Sequence, residues 1–333
     1  MMAIMGFGVW SLLAGFAVQT IFSLLATYAI SRHTLRPRLK GDRSVIHFGL
    51  KSLATELTSW CMDNLDRFLV GRFWGLYSLG LYSVAYNLSK APSGLLVYSA
   101  QTIAFASASR LQGDRVAVRK GLLVALAAIA LATLPVFTLV AYESETVLHI
   151  VYGAKWIMAA PYMTALAIAI PLISMGAIAA SILRGIGSVG TELHILMVAG
   201  VVLFSSFLVL QDTTLVVAVW AVPLAYLVRL LLLVGVLRNR LELRFADLLH
   251  TFRGAFVLSA AGLCVALLVQ GSSPASSVAS GVMALMAGCC TILLLLVFRF
   301  TWMLGEPLSA MVRAKFATGR LGSAVGWLAN GKP

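Results

Sequence analysis

Charged residues are scarce in this sequence of 333 residues, since Asp, Glu, Lys and Arg together make up only 11% of it. A typical globular domain carries about 25% charged residues, whereas 60% of this chain is hydrophobic. Long apolar runs recur along the whole length, which excludes an ordinary soluble domain and predicts an all-α, polytopic helical membrane protein. We place about nine transmembrane helices, at roughly residues 8–30, 46–70, 78–107, 120–141, 160–182, 193–211, 214–237, 254–271 and 277–298.

The sequence also lacks the motifs of several enzyme classes. It contains no HExxH, GxSxG or DxD motif and no phosphate-binding P-loop, so a nucleotide-driven pump on this chain is excluded. Four cysteines are present, at Cys61, Cys264, Cys289 and Cys290, without a CxxC pair or a histidine at metal-ligand spacing. We therefore predict reduced thiols, no metal, no cofactor and no enzymatic activity.

Positive charge exceeds negative charge by 13 at pH 7, but its distribution argues against a nucleic-acid partner. Most of the 25 Lys and Arg residues fall in alternate predicted loops, at 31–45, 108–119, 183–192 and 238–253, and in the region after residue 298. This is the positive-inside pattern of membrane proteins. It predicts a cytoplasmic C-terminus and, with nine spans, an N-terminus outside, so the basic residues report topology and the surrounding partners are membrane lipids.

Two predicted helices carry polar stripes at helical spacing. In the second helix Ser52, Glu56, Ser59, Asp63 and Asp66 recur every three or four residues, and in the third Ser83, Asn87, Lys90, Gly94, Tyr98 and Gln101 do so. Ionised side chains are costly in lipid, so the stripes predict a water-filled cavity whose candidate residues are Lys51, Glu56, Asp63, Asn87, Lys90 and Gln101. For the hydroxyl groups of Ser52, Thr55, Ser59 and Ser83 we favour interhelical hydrogen bonding. Asp66 and Arg67 are expected to form an ion pair at the membrane edge, and Arg72 to mark the interface.

The segment DNLDRFLVGRFWGLYSLGLYSVAYNLSKAP, residues 63–92, resembles a signature of bacterial polysaccharide-transport flippases. These form the polysaccharide-transporter branch of the multidrug, oligosaccharidyl-lipid and polysaccharide exporter superfamily. Similar segments follow in order: FASASRLQGD, VYGAKWIMAAPYM and SILRGIGSVGTELHI. The resemblance implies a two-lobe transporter of about fourteen spans, of which this chain matches the sixth span onward and lacks most of the first lobe.

The same resemblance implies a division of the chain. Residues 1–45 would hold the last helix of the first lobe and a cytoplasmic linker, and residues 46–237 a six-helix C-terminal lobe. Residues 238–300 would form two additional helices, and residues 301–333 an amphipathic or disordered cytoplasmic tail.

By this resemblance the chain would move a polyprenyl-diphosphate-linked oligosaccharide across the cell inner membrane for surface polysaccharide biosynthesis. Lys51 and Lys90 would contact the diphosphate, with Arg229 as a weaker candidate, and Tyr86 would stack on sugars. Arg184 is expected to anchor a cytoplasmic loop, and Glu56 and Asp63 are candidates for ion coupling.

Two alternatives stay open. One is another lipid or multidrug antiporter of the same superfamily. The other is a fragment that acts only with another subunit, which would be a separately encoded N-terminal half, a second copy in a homodimer, or polysaccharide assembly proteins.

Overall fold

The computed structural model describes residues 9–31, 43–272 and 278–298, and these residues are almost entirely helical, with no strand among them. The chain divides after His47 into two compact units. The first contains α1 (Val9–Ser31), whose apolar segment Ala14–Ala29 is shorter than a full span. The second unit starts at Phe48, within the first turns of the next helix, and contains every contact and side-chain cluster described below.

Helices follow one another with short connections from Arg43 onward. They are α2 (Arg43–Arg110), α3 (Arg115–Tyr142), α4 (Ser144–Tyr152), a 3₁₀ turn (Ala154–Ala159), α5 (Ala160–Gly185), α6 (Val189–Val209), α7 (Leu215–Ala218), α8 (Ala221–Leu241), α9 (Phe245–Ser272) and α10 (Val278–Phe298). This architecture confirms the predicted all-α class.

The α2 helix consists of two arms, because Gly75 leaves the helical conformation at φ 82° and ψ 175°. A positive φ is readily adopted only by glycine, so the chain turns at the junction between the predicted second and third spans. We call residues 43–74 the first arm and residues 76–110 the second arm. The arms approach closely beside the turn, where a Cβ added to Gly71 would lie 3.0 Å from a methyl carbon of Leu79.

Six helical segments are long and apolar enough to cross a membrane, which confirms the polytopic membrane class. They are Arg115–Tyr142, Ala154–Gly185, Val189–Val209, Leu215–Leu241, Phe245–Gly271 and Val278–Leu296, and they correspond to the fourth to ninth predicted spans. The arms of α2 are not among them, and the first arm carries several charged residues. Transmembrane placement of α1 and of both arms therefore stays a prediction.

The α5 helix lies at the centre of the second unit and packs against α3 and α8. In the most apolar stretch of the Ala154–Gly185 segment 78% of the residues are buried, whereas the value for the Val278–Leu296 segment of α10 is 28%. Small side chains allow this close packing. Of the two glycines of α5, Gly185 is the more crowded, since an added Cβ there would meet the Cβ of Ala108 at 2.7 Å. The α6 helix packs on α8, α9 on α3, and α10 on α9.

Three further groups of sequence predictions concern the cysteines, the domain boundaries and the chain termini. The four cysteines are unpaired and exposed, as expected for reduced thiols. The predicted domain boundaries at 45/46 and 237/238 stay predictions, as do the positions of the termini relative to the membrane. The predicted cytoplasmic tail lies outside the described residues.

Candidate functional site

A cluster of acidic, basic and tyrosine side chains lies between the two arms of α2 and α8. On the first arm Asp63, Asp66 and Arg67 share one helical face, and on the second arm Tyr82, Tyr86 and Lys90 recur every four residues. The turn at Gly75 brings the two faces together, and Tyr226 of α8 completes the set. We call these seven residues the tyrosine cluster.

Asp63 and Lys90 form the open part of the tyrosine cluster. The Lys90 Nζ donates to Asp63 Oδ2 at 3.0 Å and to the Tyr86 hydroxyl at 2.7 Å. The Tyr226 hydroxyl donates to the other Asp63 oxygen at 3.3 Å. The side chains of Lys90 and Asp63 remain 41% and 44% exposed, and because ionised groups are costly in lipid, we infer that this open side faces water.

Asp66 forms the closed part of the tyrosine cluster. It is 3% exposed, and its Oδ2 accepts a hydrogen bond of 2.6 Å from the fully buried Tyr82 hydroxyl. Its Oδ1 accepts from the Arg67 backbone N–H at 2.7 Å. The expected ion pair between Asp66 and Arg67 side chains at the membrane edge is thus replaced by a buried carboxylate bonded to a tyrosine and a backbone amide.

The Arg67 guanidinium turns toward the second arm. Its Nη2 donates to the Asp63 backbone carbonyl at 3.1 Å and to Asn64 Oδ1 at 3.0 Å. Its Cζ lies 4.5 Å from the centre of the Tyr86 ring, and the Lys90 Nζ lies 5.1 Å from the same centre. The Arg67 guanidinium therefore makes a cation–π contact with Tyr86, whereas Lys90 meets the same residue at its hydroxyl edge.

A second group of charges lies two helical turns away along the first arm. Arg184 Nη1 contacts Glu56 Oε1 at 2.9 Å, and Arg184 Nε contacts Glu192 Oε2 at 3.3 Å. Glu192 is 1% exposed, whereas the Glu56 side chain is 65% exposed. Arg229 of α8 interacts electrostatically with Glu192. We call Glu56, Arg184, Glu192 and Arg229 the arginine cluster.

Two glycines position the arginine cluster. Gly185 allows the end of α5, which carries Arg184, to lie against the second arm near Ala108. Gly187 has φ 81° and turns the chain from α5 into α6, so that Glu192 in the first turn of α6 returns beside Arg184. An acidic group is also favoured by the helix dipole at this end of a helix.

The α8 helix connects the two clusters. Tyr226 donates to Asp63 in the tyrosine cluster, and Arg229, one turn further along α8, acts electrostatically on Glu192 of the arginine cluster. On the first arm Glu56 and Asp63 are separated by seven residues, or about 10 Å at 1.5 Å per residue. The two clusters therefore lie two helical turns apart in one column along the first arm and α8.

The structure brings together eight of the residues that the sequence singled out: Glu56, Asp63, Asp66, Arg67, Tyr86, Lys90, Arg184 and Arg229. Lys51, Arg72 and Asn87 are exposed and Gln101 is half-buried, and these four take no part in the two clusters. Arg184 was expected to anchor a loop, and its ion pairs with Glu56 and Glu192 are an addition to that expectation. The functional roles of all twelve residues stay predictions.

Sequence reasoning missed Glu192 and Tyr226. The predicted sixth span began at residue 193, one position after Glu192, and so left this acid in a loop. A usable signal was present, because Glu192 is the single acidic residue of the apolar α6 segment. Tyr226 gave a weaker signal as the residue one turn before Arg229. The hydroxyl of Thr55, expected to bond between helices, donates instead to the Lys51 carbonyl of its own helix at 2.8 Å.

Cations and carboxylates match in number across the two clusters, and this balance limits the chemistry that they can perform. Within the described residues there is no group of three or more His, Cys, Asp or Glu side chains that could hold a metal ion. An anionic group could bind Lys90 in place of Asp63, since the Lys90 side chain is 41% exposed. The half-exposed pair can make this exchange, because exposed ion pairs are worth only about 0.2–1 kcal/mol.

Comparisons with known proteins define the class of this chain. Residues 1–161 match a family described as "Polysaccharide biosynthesis protein", a stretch that includes most of the tyrosine cluster and Glu56. Together with the helical architecture, this match confirms the resemblance predicted from residues 63–92: the chain is a polytopic membrane protein similar to bacterial polysaccharide-transport proteins.

Two curated relatives are similar to this chain over part of its length. The chain is 28% identical to the teichuronic acid biosynthesis protein TuaB of Bacillus subtilis over 130 residues, which are 39% of this chain and 27% of that protein. It is 23% identical to the succinoglycan biosynthesis transport protein ExoT of Rhizobium meliloti over 189 residues, which are 56% of this chain and 38% of that protein. The aligned regions span less than two fifths of either relative, and no solved structure matches the chain significantly.

Proposed function

We propose that this protein takes part in moving a polyprenyl-diphosphate-linked oligosaccharide from the inner to the outer leaflet of the cell inner membrane, for surface polysaccharide biosynthesis. The match to a polysaccharide biosynthesis family and the similarity to a named succinoglycan transport protein support a role in polysaccharide export. The observation that carries the finer proposal is the half-exposed Lys90–Asp63 pair inside the helical bundle.

The diphosphate is the part of this substrate that needs a polar path. A lysine ammonium binds phosphate as a point charge, and Lys90 is held in place by the Tyr86 hydroxyl at 2.7 Å whether or not Asp63 is its partner. When the diphosphate takes the place of Asp63, the Asp63 carboxylate retains the hydroxyl of Tyr226. When the diphosphate leaves, Asp63 returns to Lys90. The exchange supports binding that is strong enough to select an anion and weak enough to release it.

The arginine cluster would provide a second exchangeable contact. Glu56 is mostly exposed, whereas Glu192 is buried beside the same guanidinium. If the first arm moves away from α5, Arg184 loses Glu56 but keeps Glu192. The first arm can therefore separate at this level without leaving a buried cation unpaired, which is strongly unfavourable in proteins. By the positive-inside rule, the basic residues of the predicted cytoplasmic loops would put this end of the column on the cytoplasmic side.

A strain from which the gene has been deleted tests the proposal. We would restore the full-length gene, as wild type or as Lys90→Ala, Lys90→Arg or Lys155→Ala, and measure lipid-linked oligosaccharide at the outer leaflet with membrane abundance as a reference. Lys90→Ala should lower export at least tenfold at unchanged abundance, and Lys90→Arg should retain part of it, because a guanidinium also binds phosphate. Lys155→Ala, an exposed lysine outside both clusters, is the matched control and should export normally.

Two outcomes would refute the proposal. Normal export by Lys90→Ala would remove Lys90 from the path. A deletion strain with normal surface polysaccharide but altered drug susceptibility would favour the antiporter alternative. The arginine cluster is tested by Glu56→Gln, which should impair export while Glu145→Gln, an exposed acid elsewhere, should not.

A further inference from the structure

A groove of about 1070 Å³ runs between the second arm of α2 and α3, separate from the two charged clusters. Its walls are apolar and contain many small residues, including Ala100, Ala104, Ala128 and Ala132. Small side chains leave a continuous channel between the helices instead of an interlocked seam. A channel of this kind accepts a flexible hydrocarbon chain without displacing protein side chains.

The length of the groove matches one leaflet of a bilayer. It extends from Leu96 on the second arm to Leu111 directly after that arm, which is about 22 Å at 1.5 Å per residue. With its headgroup regions a bilayer is about 40–45 Å thick, so one leaflet with its headgroups contributes about 20–22 Å. A groove of this length holds a phospholipid acyl chain with its headgroup at the membrane surface, but not the whole of a long polyprenyl chain.

Positive charge is placed at one end of this groove only. Arg119 and Lys120 line it near the start of α3. Arg119 is already neutralised, because it contacts Asp247 Oδ2 at 2.6 Å and donates to the Glu242 carbonyl at 3.2 Å. Lys120 is exposed, and its side chain makes no ion pair with any residue of the described ranges.

We propose that this groove binds one anionic phospholipid, with an acyl chain between the second arm and α3 and the phosphate at Lys120. Basic pockets between membrane helices at the cytoplasmic side are sites for anionic lipid headgroups. Lys120 supplies the uncompensated charge, Arg119 stays fixed by Asp247, and the alanine-lined walls supply the apolar contact. This site is independent of the proposed transport function, since it uses no residue of the tyrosine or arginine cluster.

Native mass spectrometry of the purified, delipidated full-length protein tests the site. The probes are phosphatidylglycerol and phosphatidylcholine with identical acyl chains, so that only the headgroup charge differs. The wild-type protein should retain one phosphatidylglycerol per chain in preference to phosphatidylcholine. Lys120→Ala should reduce that preference about fivefold, the effect of one lysine charge near a membrane surface, whereas Lys155→Ala should keep it.

Blocking the groove separates the chain contact from the headgroup contact. Ala128 and Ala132 line the groove and are exposed, so Ala128→Phe and Ala132→Phe fill it without disturbing the buried core. Both variants should lose the retained lipid of either headgroup. Val201→Phe on α6, an equally exposed apolar site outside the groove, is the matched control and should bind as the wild type does.

Three results would overturn the assignment. Lys120→Ala could keep the wild-type preference, or the two phenylalanine variants could retain the lipid. Polyprenyl phosphate could also displace phosphatidylglycerol at the same stoichiometry and with the same variant pattern, in which case the groove serves the carrier lipid instead.

Discussion

Removing the hydroxyl of Tyr82 gives a sharp test of the buried part of the tyrosine cluster. Tyr82 is fully buried and donates a 2.6 Å hydrogen bond to Asp66, whose carboxylate is 3% exposed. In Tyr82→Phe the ring still fills its place, but one carboxylate oxygen loses its donor where water has little access. Hydrogen bonds to charged groups contribute about 1.5–3 kcal/mol, so we expect a loss of that size in the free energy of unfolding.

Tyr86→Phe is the matched comparison, one helical turn further on the same face. The Tyr86 hydroxyl accepts from Lys90, and Lys90 keeps Asp63 as a partner at 3.0 Å and remains 41% exposed. Water can replace the lost contact, so we expect a loss of under about 1 kcal/mol, as for exposed ion pairs. Both substitutions remove a tyrosine hydroxyl, but Tyr82 loses a donor to a buried carboxylate and Tyr86 loses an acceptor of an exposed ammonium that has other partners.

The assay is the fraction of monodisperse protein that remains after heating in detergent, measured by size-exclusion chromatography. The half-loss temperature should fall clearly for Tyr82→Phe and little for Tyr86→Phe. An unchanged half-loss temperature for Tyr82→Phe, or a larger fall for Tyr86→Phe, would refute the assignment of Asp66 as the buried anchor. Export should show the opposite ranking per folded molecule, because Tyr86 holds Lys90 whereas Tyr82 holds Asp66.

Two further substitutions test the packing and the topology. Gly185→Ala places a Cβ 2.7 Å from that of Ala108, so it should cost about 1–3 kcal/mol of stability by overpacking. Gly176→Ala, whose added Cβ would meet its nearest neighbour at 3.9 Å, should be neutral or stabilising in the same heating assay; equal effects at the two glycines would contradict the close approach. With the native cysteines replaced by alanine, a cysteine at Arg115 should react with an impermeant thiol reagent only after cell lysis and one at Lys155 in intact cells; reaction of both from one side would contradict the predicted topology.

The helices could be predicted from hydrophobic content and periodicity, because both properties depend only on residues that are close together in the sequence. The apolar runs predict helices at the positions where α3, α5, α6, α8, α9 and α10 lie. The polar stripe of the first arm likewise predicts that Glu56, Asp63 and Asp66 share a face. Side-chain spacing within one helix is fixed by helix geometry, so these statements need no knowledge of neighbouring elements.

The same reasoning could not predict which side chains form ion pairs between different helices. Lys90 and Asp63 are 27 residues apart, and Arg184 and Glu56 are 128 residues apart. The cation that pairs with each carboxylate depends on the angle of the turn at Gly75 and on how α5 packs against the second arm. The partner of Asp66 depends on packing in the same way. Its position next to Arg67 in the sequence indicated an ion pair, but the packing of the two arms places it against the Tyr82 hydroxyl.

The proposed passage of an anion requires some contacts to break while the helices stay together, and the side chains of the column differ in burial accordingly. A buried carboxylate such as Asp66 or Glu192 is expensive to unpair, so it fixes a contact between elements. A half-exposed pair such as Asp63–Lys90 gains little net energy from its contact, so a phosphate can compete with the carboxylate. If Asp63 and Lys90 were as buried as Asp66, the exchange would carry a large desolvation penalty; if Asp66 were as open as Asp63, the first arm would lose its anchor whenever an anion entered. The separation of fixed and exchangeable charges onto adjacent turns of the same two helices would therefore allow the proposed transport path to coexist with a stable bundle.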